Sequence, residues 1–233
     1  MAVWRYLVLG FGLLLAAPAL AQLEFDYMVG VAEDRYDTLV LNARRDGPPD
    51  ELASGFEKRA GNVARRLWVI VREQHPDVMN ARLDVLVLAD LAVPFAVLGR
   101  GKIIADRDYA LSLSDEAMAA AVAHELAHLA LSHQKKRLAL GMALMGSDVP
   151  QRLDQRVRLA MRLSSSPAES RAIEAEADSY ALKLLQAAGM PREGLLEALL
   201  ALRGRMQDEA WFSDVAPRVA SLRAELGLDP SMP

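Results

Sequence analysis

The chain has no cysteine at any of its 233 positions. This excludes disulfides, thiolate metal ligands, a cysteine nucleophile and a lipid-modified cysteine. What folds here is held by its core, with or without a metal. Histidine is scarce too, at four residues, so any imidazole site has few to draw on. Positive charge is not in excess: the net charge is −4, which gives no electrostatic case for nucleic acid. Beyond residue 21 no apolar run approaches the roughly 20 residues of a membrane-spanning helix. Leu138 to Gly146 is apolar but only nine residues long.

What is present begins with a leader. Arg5 gives a short positive region, Leu7 to Ala17 an apolar one, and Ala19-Leu20-Ala21 an A-x-A cleavage signal. Residues 1–21 therefore read as a signal peptide. Residues 22–233 read as one domain without a mature transmembrane helix, exported to the periplasm and open to membrane association.

The element pattern is α+β and mostly helical. Helices are expected over Glu24 to Arg45 and Asp50 to Gln74, separated by Gly47-Pro48-Pro49. Three apolar runs follow: Leu83 to Ala89, Phe95 to Leu98 and Lys102 to Ala105. With Gly99-Arg100-Gly101 as a hairpin turn they predict a small antiparallel sheet. Ser114, followed by Asp115 and Glu116, then starts an alanine-rich helix expected to run to His133. The stretch 135–162 carries seven Lys or Arg against Asp148 and Asp154. It reads as a solvated helix face, or as a peripheral contact with anionic lipid or polymer. Ser166-Pro167-Ala168-Glu169 is a capping box that opens another helix, closed by Gly189 and Pro191. Two further helices are expected between Arg192 and Leu228. Gly141 to Pro150 and Ser164 to Pro167 are candidate mobile segments.

The chemistry is concentrated in His124-Glu125-Leu126-Ala127-His128, an HExxH. Histidines four apart on a helix share a face and can bind one ion, and the adjacent glutamate can act on water as a general base. A catalytic zinc needs a third protein ligand. In the HExxHxxGxxH pattern it is a histidine, but here Leu131 and Gln134 occupy the glycine and last-histidine positions. His75, before a proline, reads as a surface residue. A carboxylate from a later helix remains, and Glu174 and Asp178, four apart, share a face; Glu176 points elsewhere. Glu174 could bind zinc while Asp178 supports a ligand imidazole. The bland alternative is an acidic helix face paired with Arg171 and Lys183.

HExxH followed about 50 residues later by Ser170-Arg171-Ala172-Ile173-Glu174-Ala175-Glu176-Ala177-Asp178 resembles the HExxH…(S)RxxExxAD pattern of one gluzincin metallopeptidase family. That family includes the HtpX proteases, the CAAX prenyl proteases, the mitochondrial Oma-type proteases and the periplasmic BepA-like proteins. The resemblance covers about residues 83–192. It implies a zincin-like catalytic domain with one zinc ion per chain, held by His124, His128 and Glu174. It also implies Glu125 as catalytic base and Asp178 in support of a ligand, with His133 structural rather than a ligand. Two departures stand out. The sheet segment reads Val93-Pro94-Phe95-Ala96, without the family's asparagine. The late Phe212 to Val219 segment lacks the family's histidine, which leaves Arg218 as a possible transition-state contact. The expected function is zinc-dependent hydrolysis of peptide bonds in unfolded or misassembled cell-envelope polypeptides. The alternative is a catalytically weak zinc-binding protein of the envelope with a chaperone-like or interaction role.

Overall fold

The structure is a computed structural model. It describes residues 50–230 apart from 79–82, 92, 99–100, 146–151 and 165, together with Tyr27 and Gly30. The expected signal peptide, the turn at 47–49 and all but two residues of the helix expected over 24–45 lie outside the described residues.

Helix α1 (Glu51–Gln74) starts at Asp50, whose side chain accepts a 3.0 Å hydrogen bond from the Ala53 amide. Its inward face of Phe56, Ala60, Ala64, Leu67 and Val71 recurs at helical spacing and enters the main core. Three strands follow: β1 (Asp84–Leu88), β2 (Phe95–Val97) and β3 (Lys102–Asp106). Their spatial order is β1-β3-β2, so β2 is an edge. The β2–β3 hairpin is antiparallel as expected, with Ala96 opposite Ile104. β1 instead pairs parallel to β3, Leu86 opposite Ile104, so the sheet is mixed. The reason is topological: the chain leaving β1 skips to the far edge, where β2 forms, and β3 returns between the two. One face of the sheet carries Val85, Val87, Val97 and Ile103 into the main core. The other carries Leu86, Leu88, Leu98 and Ile104 into a small separate cluster.

Short helix α2 (Arg107–Ser112) leads to α3 (Asp115–Ala130), capped by the Ser114 hydroxyl, which accepts from the Ala117 amide at 3.1 Å. α3 is the central rod. Ala117, Ala120, Ala123 and Ala127 are fully buried, and so small a side chain lets neighbouring helices approach closely on all sides. The rod ends at Ala130, not at His133 as expected from sequence. Ser132 takes the left-handed conformation, φ 54°, and starts α4 (His133–Leu144) in a new direction. α4 pairs with α5 (Leu153–Leu163) around Leu138, Met142 and Ala160. A Cβ at Gly141 would lie 1.8 Å from the Ala160 carbonyl oxygen, so part of one expected mobile segment is a tight helix crossing.

α6 (Pro167–Ala187) begins at the predicted capping box, with Ser166 accepting from the Glu169 amide at 3.3 Å, and packs along α3. α7 (Gly194–Leu200) crosses the start of α3, where a Cβ on Gly194 would stand 2.4 Å from the Glu116 carbonyl. A π-helical turn (Trp211–Val215) then runs into α8 (Ala216–Glu225), which carries Arg218. Among the described residues, no helix is long and apolar enough to cross a membrane.

Candidate metal centre

α3 and α6 lie side by side, and that packing joins the two motifs. His124 Nε2 lies 3.2 Å from Glu174 Oε2 and 3.0 Å from His128 Nε2. His128 Nε2 is 3.6 Å from Glu174 Oε1. The three residues each present one ligand atom within 4.8 Å of the others. A tetrahedral ion with bonds of about 2.0–2.1 Å keeps its ligand atoms about 3.3 Å apart. The observed spacings fall around that value, so the donor set fits zinc in both chemistry and size.

The second nitrogen of each histidine has its own support. His124 Nδ1 is 2.9 Å from Asp178 Oδ1. Asp178 in turn takes Arg218 in a two-pronged pair, Nε to Oδ2 and Nη2 to Oδ1, both 2.7 Å. The third guanidinium nitrogen, Nη1, lies 3.1 Å from Glu174 Oε2. On α6, Glu174 meets His124, His128 and Arg218, an arrangement in which it could serve as a metal ligand. On the far side His128 Nδ1 lies 2.9 Å from His133 Nδ1, and His133 Nε2 lies 3.1 Å from Glu176 Oε2. Glu176 does face away from Glu174, as its spacing predicts, and what it faces is His133.

Glu125 points to the sheet. Its Oε2 accepts a 2.7 Å hydrogen bond from the Val97 amide. Leu98 N–H donates to Lys102 and Asp106 N–H to Pro94, so positions 94, 96 and 98 bond to β3. Phe95 and Val97 therefore turn their backbone groups away from the sheet. The Val97 carbonyl accepts from Gln134 Nε2. HExxH and the edge strand are thus joined directly, through the residue that would act as base.

A model of peptidase family M48 matches residues 58–225. The chain belongs to peptidase family M48. No curated protein matches it.

In this M48 chain the electrostatics of the centre are those of a site built for a cation. Three buried or half-buried carboxylates, Glu125, Glu174 and Asp178, stand around one guanidinium, Arg218. With neutral imidazoles that leaves a charge of −2, which a divalent ion cancels. Burial pushes the Glu174 carboxyl up, but the His124 and His128 rings and Arg218 overcome it and hold the group far below its ordinary range. Asp178 is likewise held low against burial by Arg218 and His124. Burial opposes a charged His124, yet Asp178 and Glu174 outweigh it and push the ring up to about 10 in the metal-free protein. His133 moves the other way: burial and the nearby His128 keep it below its usual value, against the pull of Glu176.

Every residue singled out from sequence for the site is present in this one region: His124, Glu125, His128, Glu174, Asp178 and Arg218. Sequence reasoning missed the pairing of His133 with Glu176 and the backbone contacts of Val97. His133 was expected on the same helix as His128, and the break at Ser132 changes which way it points.

Proposed function

We propose that this M48 peptidase is a zinc-dependent endopeptidase that hydrolyses unfolded or misassembled polypeptides of the cell envelope. The observation that carries the proposal is the convergence of His124, His128 and Glu174, with Glu125 beside them and hydrogen-bonded to the edge strand. A bound zinc ion would supply a Lewis acid and lower the pKa of a water to about 7. Glu125 is the proton carrier in this proposal, taking a proton from the attacking water and passing it to the leaving amine. The outward backbone groups at Phe95 and Val97 offer an extended peptide a place to add as a strand, with little demand on its side chains. That suits unfolded chains. To reach Val97, the incoming strand takes over the partners that Glu125 and Gln134 now supply. Arg218 makes three contacts through a group with five N–H donors, so it retains donors for a developing oxyanion. The envelope assignment rests on the leader read in residues 1–21. For the basic residues of the stretch 135–162 both readings stand, a solvated helix face and a peripheral contact with anionic lipid or polymer.

The test is cleavage of unfolded casein by the zinc-loaded protein. Activity should vanish with a chelator and return with zinc. Glu125→Gln should keep its zinc and lose turnover. If zinc-loaded wild type leaves casein intact, the proposal fails. A Glu125→Gln protein that still supports envelope function in cells favours the interaction-protein alternative.

A further inference from the structure

Two of the three residues that would hold zinc are imidazoles, and each must present an unprotonated Nε2 to the ion. For His124 the neighbouring Asp178 can only accept a proton contact, so it holds the hydrogen on Nδ1. His128 has no carboxylate there. Its Nδ1 instead meets the Nδ1 of His133 at 2.9 Å, and the other nitrogen of His133 meets Glu176 at 3.1 Å. We infer that His133 and Glu176 form a relay that fixes the tautomer of His128, leaving its Nε2 lone pair facing His124 and Glu174. This rests on the zinc reading above and adds two positioning residues to it.

The logic follows from donors and acceptors. A carboxylate accepts, so Glu176 keeps the His133 hydrogen on Nε2. The Nδ1 of a neutral His133 is then an acceptor. The 2.9 Å contact closes only if His128 donates from Nδ1. Burial favours the neutral ring, since His133 is only 1% exposed. Glu176 is half-exposed and is steadied by Lys136, with Nζ 3.5 Å from its Oε1. The backbone contributes as well. Ser132 holds a left-handed conformation that non-glycine residues rarely adopt, and this turn brings His133 back against the helix it has just left.

The relay predicts a graded effect on metal binding. With full-length protein and a chromophoric chelator in competition at fixed pH, His133→Ala should weaken zinc binding by about 10–100-fold. His133→Asn, whose amide oxygen sits near the Nδ1 position, should recover part of the loss. Glu176→Ala should weaken binding less than His133→Ala does, and Glu176→Gln less again. The thermal midpoint of the metal-free proteins serves as the control, because a purely structural role would move that alone. If His133→Ala does not fold, the two Glu176 variants carry the test. Nitrogen-15 NMR of the metal-free wild type reads the tautomer directly and should find the His128 hydrogen on Nδ1. Finding it on Nε2, or finding wild-type zinc affinity in folded His133→Ala or Glu176→Ala, overturns the inference. A wild type that binds no zinc counts against the proposed function instead.

Discussion

Arg218→Met tests how the charges around His124 are balanced. The substitution keeps much of the aliphatic volume and removes the guanidinium. Two charge-assisted hydrogen bonds of 2.7 Å to Asp178 are lost, and with them the contact to Glu174. Bonds of this kind contribute about 1.5–3 kcal/mol each. Removing one partner of a buried pair costs about 3–5 kcal/mol, because the remaining charge is left without compensation. Asp178 retains His124 as a partner, so the same 3–5 kcal/mol is the expected range here rather than a larger sum. In a domain of this size each 1 kcal/mol moves the thermal midpoint by about 2–4 °C, for a fall of about 6–20 °C. Circular dichroism melts should be run at pH 7 with a chelator present, so that metal linkage does not enter. Asp178→Asn supplies the other corner of a double-mutant cycle. The double variant should be less destabilised than the two singles added together by at least about 1 kcal/mol. A loss under about 1 kcal/mol for Arg218→Met, or strict additivity in the cycle, would refute the reasoning.

Other outcomes follow from the same geometry. Glu125→Gln keeps an oxygen for the Val97 amide, so its melting midpoint should stay within a few degrees of wild type, while kcat on a peptide substrate falls by about 10²–10⁴-fold. Gly194→Ala forces α7 away from the Glu116 carbonyl and should cost about 1–3 kcal/mol in urea unfolding. Gly204→Ala meets nothing within 4 Å and should lie within about 0.5 kcal/mol of wild type. The metal-free protein should weaken at both ends of the pH scale. Glu174 and Asp178 have folded values below their ordinary 4.5 and 3.8, so their stabilisation is complete above about pH 5 and is lost as pH falls through the folded values. His124 is raised to about 10, so its stabilisation is present below the unfolded value and is lost as pH rises through about 10. Melting midpoints from pH 3 to 10.5 check both limbs; a flat profile at either end counts against the corresponding group.

The candidate metal-binding residues stood out in the sequence because their grouping depends on local periodicity. His124 with His128, and Glu174 with Asp178, share faces by helical spacing alone, and the N-cap serines at 114 and 166 mark where those helices start. That α3 and α6 lie together was legible only through the family resemblance, since nothing local dictates which helices pack. Strand positions came through, because β-branched runs bounded by turns mark them. Strand direction did not: pairing β1 parallel to β3 is a choice of tertiary path. The His133–Glu176 pair was hidden for a backbone reason. A single left-handed serine carries no sequence signature as strong as a glycine would.

The two halves of the candidate metal centre sit 50 residues apart, His124 on one helix and Glu174 on another. In a chain without cysteine, an ion held by both would close the intervening loop in the folded state. Bound by the folded chain and released on unfolding, the ion would stabilise by mass action, about 2.7 kcal/mol at a free concentration one hundred times its Kd. Chelation would then act on this fold as reduction acts on a disulfide-stapled one. Zinc supply would set not only whether the enzyme can turn over but how long the chain survives unfolding.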